Sequence, residues 1–233
     1  MRRRAHFAAR FVTCLTVTVA AWAHAAGGGG SIAVTLSQAD GTALAGAAVT
    51  VRRLGSVSAA APAPTPADNA AGDGNWAMDQ VNRAFDPEVI VVPVGAAVRF
   101  PNSDSVSHQV YSFSPTKRFQ LPLYRGKPYP PVRFDTPGIV TLGCNIHDNM
   151  IGWILVTDAP WFGSSDAAGS WRANALPAGD YEVTIWHPRL RDDAKALSSH
   201  VHIEAGNTTR SSFRSAKPMR PAPLTGKSRE WDY

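Results

Sequence analysis

Three side chains that bind soft metal ions follow one another at a constant spacing of three residues. They are Cys144, His147 and Met150, in the stretch GCNIHDNMIGW. A thiolate and a thioether favour copper, and an imidazole suits it as well. Taken singly, each residue fits a simpler interpretation, since a lone cysteine or methionine is usually core filler and a loop histidine is usually solvated. Taken together, the spacing predicts three ligands of one metal ion in a single loop.

A second imidazole would complete a trigonal set of one cysteine and two histidines with a weak fourth bond from methionine. His108 is the best candidate, because it opens the stretch HQVYSF directly after the turn PNSDSVS. Such a strand end can lie at the same pole of a β-sandwich as the 144–150 loop. We interpret His200 and His202, which share one face of a strand, as solvated residues. His187 is interpreted as a packing or turn-capping residue.

The first 25 residues have the features of a secretory signal peptide. They combine an arginine-rich start, an apolar middle and a small-residue pattern that ends at Ala25. The apolar part, 11–23, is shorter than the roughly 20 residues that a membrane-spanning helix needs, and no later segment comes closer. We therefore expect a soluble protein that is exported, for example to the periplasm, and that has no transmembrane segment.

Most of the net charge of +5 belongs to this leader, which carries four arginines and no acidic residue. The rest of the chain is close to neutral, so its composition gives no support for a nucleic-acid partner. The remaining positive charge is concentrated in residues 210–233, which contain little apolar material. We predict that this segment is a basic, flexible tail.

Loss of the leader also removes Cys14 and leaves Cys144 as the only thiol of the exported chain. An intramolecular disulfide is then excluded. A single cysteine in an oxidising compartment is an inert buried residue, an intermolecular link, or a metal ligand whose thiolate is protected by coordination.

The rest of the sequence is typical of an all-β protein. Glycine and proline, 19 and 18 residues respectively, separate short runs of alternating or continuous apolar character, and no long segment has a helical period. About eight such runs in residues 76–158 predict a small antiparallel sandwich. Residues 55–75 are rich in alanine and proline and predict a linker or an exposed loop.

The flanking segments, 27–54 and 159–209, also predict β-strands, but neither has enough apolar residues for a core of its own. The stretches DGTALAGAAVTV and LPAGDYEVTI resemble, in that order, the two halves of a carboxypeptidase-regulatory-like sandwich of the transthyretin type. This resemblance implies a split domain with the central sandwich inserted in it. The alternative is a flexible N-terminal arm and an independent C-terminal module.

The central segment resembles the cupredoxins. The resemblance is carried by VRFPNSDSVSHQV followed by VTLGCNIHDNMIGWILV, and the compact ligand loop is most similar to that of the amicyanins. It implies a Greek-key β-sandwich with one copper ion, which has His108, Cys144 and His147 as equatorial ligands and Met150 as the axial ligand. It also implies that the Asn102 side chain ties the loop of the first histidine to the cysteine loop.

A wider resemblance covers most of the exported chain. The stretches QVNRAFDPEVIVVPVG, VYSFSPTKRFQLPLY, FDTPGIVTLGCNIHDNM and VTIWHPRL resemble periplasmic methylamine-utilisation cupredoxin-like proteins. The residue two before the cysteine, commonly aromatic in cupredoxins, is Leu142 here. This departure affects the expected value of the reduction potential and not the expected presence of the site.

Four classes of function are compatible with these residues. The first is a one-electron carrier of the type 1 (blue) copper class, which is not an enzyme and whose partners, by the resemblance, would be an amine dehydrogenase and a cytochrome. The second is copper delivery or storage, and the third an interaction module with a structural copper or zinc site. The fourth, a multicopper oxidase, is disfavoured because such enzymes need several His-x-His pairs and the exported chain has one.

Overall fold

The computed structural model describes residues 29–55, 65–66, 75–193 and 197–222, and 17 β-strands are almost the only regular secondary structure in these ranges. The predicted all-β fold class is thereby confirmed. The 17 strands are β1 Gly30–Ser37, β2 Ala48–Arg53, β3 Thr65–Pro66, β4 Asp79–Val81, β5 Ala84–Asp86, β6 Val89–Pro93, β7 Ala96–Val98, β8 His108–Ser114, β9 Lys117–Tyr124, β10 Val132–Phe134, β11 Gly138–Gly143, β12 Ile151–Thr157, β13 Trp161–Ser164, β14 Ser170–Leu176, β15 Gly179–Trp186, β16 Ser198–Ile203 and β17 Thr208–Arg214.

Three predictions fall wholly or partly outside the described residues. The signal peptide expected in residues 1–25 lies outside them, as do most of the linker expected in 55–75 and the end of the tail expected in 210–233. Within the described ranges, no helix has the length and apolar character needed to cross a membrane.

Strands β4 to β12 form one sandwich, here called the inner sandwich. Its larger sheet has the strand order β6-β12-β11-β8-β9, opposed by the pair β10-β7 and accompanied by the hairpin β4-β5. Most neighbours are antiparallel, as expected, but β6 runs parallel to β12. The alternation along β11 sends Val140 and Leu142 into the core, while Ile139 and Thr141 face outward.

The core of the inner sandwich contains two residues of the expected metal loop as well as ordinary apolar residues. Phe100, Phe134 and Ile154 are among its largest fully buried side chains. Cys144 and Met150 belong to the same cluster and are themselves buried. The sulfur atoms therefore lie out of contact with bulk water.

The other strands form a second sandwich, here called the outer sandwich. Its two sheets have the orders β14-β1-β17 and β16-β15-β2-β13-β3. Because β1 lies between β14 and β17, and β2 between β15 and β13, residues from both ends of the described chain share one core, which includes Ile32, Trp171 and Tyr181. The inner sandwich is inserted in sequence between β2 and β13.

One boundary differs from the sequence expectation. The basic tail was expected to begin at residue 210, but β17 runs parallel to β1 as far as Arg214. The backbone hydrogen bonds of this pairing order the start of the segment, although its composition has little apolar content.

The two sandwiches meet along strands β2, β6 and β13. Ala48, Val91 and Phe162 form a small buried cluster there. An exposed ion pair, Arg52 with Asp158, and a second pair, Arg189 with Glu88 at 3.5 Å, also join the two sandwiches.

Candidate metal centre

His108 is placed by the turn that precedes β8. It is the first residue of that strand and its side chain is fully buried. The turn is held by Asn102, whose side-chain amide donates hydrogen bonds to the carbonyl oxygens of Val106 at 3.0 Å and Tyr124 at 2.9 Å. Asn102 thus fixes the path of the chain just before His108.

Cys144, His147 and Met150 lie in the loop that joins β11 to β12. Gly143, the last residue of β11, pairs with both Ile151 of β12 and Tyr111 of β8. The loop closes on itself, since the Met150 N–H donates to the His147 carbonyl oxygen at 2.9 Å. Register with β8 therefore brings this loop beside His108.

The donor atoms of three of the predicted ligands converge. The Cys144 Sγ lies 3.8 Å from His108 Nδ1 and 3.9 Å from His147 Nδ1, and the two nitrogens are 3.1 Å apart. A metal ion bonded at about 2.0 Å to nitrogen and about 2.3 Å to sulfur, the lengths that zinc has, holds a nitrogen and a sulfur roughly 3.7 Å apart at trigonal angles. The three atoms thus have the separations of ligands around one ion.

The electrostatics of the site favour a thiolate. Burial raises the pKa of a thiol, but the hydrogen bonds of Cys144 with His108 and with the backbone of Gln109 and Ile146 outweigh it, so the pKa of Cys144 lies below its ordinary value. Burial lowers the pKa of His108, yet its contacts with Cys144 and Asp104 raise that pKa above its ordinary value. A cation can take the place of the proton that these two groups share, because metal binding competes with protons for the same lone pairs.

Asp104 contacts the outer edge of the His108 ring. The His108 Nε2–H donates to the Asp104 Oδ2 at 2.8 Å, which leaves the Nδ1 lone pair directed at the sulfur. Asp104 is not among the site residues that the sequence predicts. The sequence shows that Asp104 lies four residues before His108 in the same turn. This spacing does not reveal the turn geometry that makes the contact.

Met150 as a fourth ligand stays a prediction. Its side chain is fully buried in the same cluster as Cys144, which is compatible with a ligand and with core packing.

The prediction for Asn102 needs a correction. In the described part of the chain its side chain bonds Val106, Tyr124 and the Asp104 N–H, and none of its hydrogen bonds reaches the cysteine loop. Both N–H groups of the amide are used by its own turn and by the end of β9, so neither is left to donate to the 144–150 loop.

The other histidines of the described ranges, His187, His200 and His202, do not belong to this group of donor atoms. His202 pairs with Asp180 at 2.7 Å on an exposed face of β15 and β16, and His200 is also exposed. His187 is buried in the outer sandwich, where its Nδ1 accepts the Arg189 N–H at 3.2 Å.

Comparison with known proteins gives similarities to parts of this chain. No family model matches it, and no curated protein does. Among solved structures, a Cu-containing nitrite reductase (NirK) from Thermus scotoductus SA-01 is 27% identical with a TM-score of 0.34, over 36% of this chain and 22% of that chain. This chain therefore spans about a fifth of the length of the nitrite reductase.

Two smaller proteins are similar over nearly their whole length. A novel purple cupredoxin from Nitrosopumilus maritimus is 23% identical with a TM-score of 0.33, over 36% of this chain and 100% of that one. An oxidized variant of amicyanin is 18% identical with a TM-score of 0.34, over 46% of this chain and 99% of that one. Each similarity covers less than half of the present chain.

Proposed function

We propose that this protein is an exported type 1 copper protein that carries single electrons between redox partners. The observation that carries the proposal is the convergence of the Cys144 Sγ with the Nδ1 atoms of His108 and His147. A bound copper ion would supply the exchange of one electron between Cu(II) and Cu(I). The chain's own residues hold the ligand atoms in place and exclude water.

The donor set favours copper over zinc. One thiolate and two imidazoles in a trigonal arrangement, with a methionine sulfur nearby in sequence, suit copper. Structural zinc sites take four strong nitrogen, sulfur or carboxylate ligands. The group of His108, Cys144 and His147 supplies three of these, and the thioether of Met150 is a poor zinc ligand.

Rigidity of the ligands supports electron transfer. His108 begins β8, whereas Cys144 and His147 belong to the β11–β12 loop, so two strands of one sheet fix the ligand set from two sides. The buried positions of His108 and Cys144 leave little room for rearrangement. Ligands that keep their positions when the ion changes charge give a small reorganisation energy.

His147 is the proposed electron port. Unlike His108, its side chain is only partly buried, and its neighbours Ile146 and Ile151 are 51% and 36% exposed. These two side chains form a small apolar patch beside the ligand, of the kind that supports weak and short-lived docking. The proposed partners are redox proteins, with an amine dehydrogenase as donor and a cytochrome as acceptor by the family resemblance.

The proposal is tested by loading the purified protein with Cu(II) and recording its visible spectrum through cycles of reduction and reoxidation. We expect an intense blue thiolate-to-copper band that bleaches on reduction, returns on reoxidation and is absent in Cys144→Ser. His200→Ala removes an exposed imidazole elsewhere and serves as the matched control. A colourless protein that binds only Cu(I) would instead support copper delivery or storage.

The role of Met150 is tested in the same preparation. Met150→Leu should keep the blue band and raise the reduction potential, because the thioether that favours Cu(II) is lost. An unchanged potential would remove Met150 from the ligand set.

A further inference from the structure

We infer that Asp104 is a positioning residue that holds His108 in the tautomer and orientation needed to bind the ion, and that the β4–β5 turn in turn holds Asp104. The inference rests on the proposed function, since it concerns the same copper site. It assigns a purpose to the hairpin β4–β5, which touches no ligand in the described hydrogen bonds.

The first step is the contact between Asp104 and His108. The Oδ2 of Asp104 accepts the His108 Nε2–H at 2.8 Å, and the side chains are 13% and 0% exposed respectively. A neutral imidazole carries one N–H, so an Nε2–H held by a carboxylate leaves Nδ1 as a lone pair. In His108 this Nδ1 is the atom 3.8 Å from the Cys144 sulfur.

The second step is the support of the carboxylate itself. The Arg83 N–H donates to the same Asp104 oxygen at 2.7 Å, and the Asn82 backbone adds a further hydrogen bond. Asn82 and Arg83 are the two residues between β4 and β5, and both have positive φ angles, 52° and 55°. Such a two-residue turn is usually built with Asn-Gly, and here its second position is arginine.

The third step is a clamp between this hairpin and the turn that carries Asp104. Asp79 of β4 accepts hydrogen bonds from the Ser103 N–H at 3.1 Å and from the Ser103 hydroxyl at 2.6 Å. The Asp104 N–H bonds the Asn102 Oδ1 at 3.0 Å. Asn102 and Ser103, the two residues before Asp104, are therefore held by hydrogen bonds, and the Asp104 carboxylate is fixed beside the His108 imidazole.

A carboxylate on the far side of a metal-bound imidazole orients the ring and makes its other nitrogen a stronger donor. A stronger donor favours the more highly charged ion. Asp104 should therefore stabilise bound Cu(II) more than bound Cu(I).

The test compares Asp104→Asn with Asp135→Asn in the full-length protein. Asparagine keeps the shape and one acceptor oxygen of Asp104 but removes its charge. Asp135 is an exposed carboxylate of the inner sandwich that bonds Arg133 and belongs neither to the ligand set nor to the clamp. Competition titrations with Cu(II) and Cu(I) measure both affinities. We expect Asp104→Asn to lose about 10- to 100-fold in Cu(II) affinity, to lose less in Cu(I) affinity and to have a raised reduction potential, whereas Asp135→Asn stays near wild type.

A second readout needs no copper. In the metal-free protein the His108 Nε2–H should be protected from exchange and visible in ¹⁵N-resolved NMR spectra, and Asp104→Ala should lose this signal while the signals of the outer sandwich persist. Unchanged Cu(II) affinity in Asp104→Asn, or an equal loss in Asp135→Asn, would overturn the inference while the wild-type protein still shows a blue site. Absence of that site in the wild type would instead contradict the proposed function.

Discussion

The two sandwiches differ in how they bury polar side chains. In the outer sandwich, the buried Ser165 hydroxyl accepts the Ala47 N–H at 3.0 Å and donates to the Leu44 carbonyl oxygen at 2.7 Å, so this side chain is satisfied by the backbone. In the inner sandwich, one thiol and two imidazole nitrogens face one another within 4.8 Å. These atoms contact one another at hydrogen-bond distance, and each can also bind a metal ion.

This difference separates a scaffold from a working site. A cluster of buried groups that can each bind a metal ion is a candidate functional site. A cation bound by all three groups would stabilise the folded state around it. Stability of the outer sandwich should therefore depend on apolar packing, whereas stability of the inner sandwich should depend on the ion.

The largest expected effect comes from the outer core. Trp171 is fully buried there, and Trp171→Ala should lower the free energy of unfolding by about 3–5 kcal/mol. The visible spectrum of the copper-loaded, folded variant should not change, because no ligand belongs to this core. Denaturant unfolding and the spectrum measure the two properties. Trp171→Phe is the milder control. Loss of the blue band from either variant while it is still folded would contradict the claim that the outer core does not affect the metal site.

Copper should stabilise one sandwich selectively. An ion present at 100 times its dissociation constant raises the free energy of unfolding by about 2.7 kcal/mol. We expect this stabilisation in the inner sandwich. Hydrogen-exchange protection should rise in β8, β11 and β12 when copper is added and remain unchanged in β14 and β15. An equal rise in both groups of strands would show that the sandwiches unfold as one unit.

Acid should destabilise the outer sandwich through His187. Burial, assisted by the charge of Arg189, lowers the pKa of His187 to about 4 from an ordinary 6.5. Between these values the unfolded chain binds a proton that the folded chain does not, so stability falls as the pH falls. The free energy of unfolding should decrease by roughly 2–3 kcal/mol from pH 7 to pH 4.

His187→Asn keeps an acceptor for the Arg189 N–H and should remove this part of the pH dependence. The pH dependence of the free energy of unfolding is compared between wild type and variant, because other groups also destabilise the protein in acid. Asp158 is one of them, since its hydrogen bond with Arg52 lowers its pKa. Identical pH profiles for both proteins would show that His187 does not contribute.

The smallest effect is expected where the sandwiches meet at the surface. The side chains of Arg52 and Asp158 are 46% and 57% exposed, so solvent screens their ion pair. A double-mutant cycle with Arg52→Gln and Asp158→Asn should give a coupling below about 1 kcal/mol. A much larger coupling would mean that this pair, rather than the apolar cluster around Phe162, holds the two sandwiches together.

The parts of the site that were predictable are those encoded locally. Cys144 and His147 lie in one loop at a fixed spacing, and His108 follows a recognisable turn, so their types and positions indicate a common ion. The all-β fold class followed from short apolar runs separated by glycine and proline.

The parts that were missed depend on contacts between distant segments. The Arg83 N–H reaches Asp104 only after the β4–β5 hairpin has folded against the 101–107 turn. Likewise, β17 is ordered by pairing with β1, whose residues lie more than 170 positions earlier in the chain. A local pattern carries no signal for either contact, and the Asn102 prediction failed for the same reason.

The central claim is that one ion is shared by His108, Cys144 and His147. The most direct measurement is a crystal structure of the copper-loaded protein with anomalous diffraction recorded at the copper absorption edge. We expect a single strong anomalous peak within bonding distance of the Cys144 Sγ and the Nδ1 atoms of His108 and His147. A peak only at the exposed pair His200 and His202, or bonding to no more than one of the three expected atoms, would contradict it.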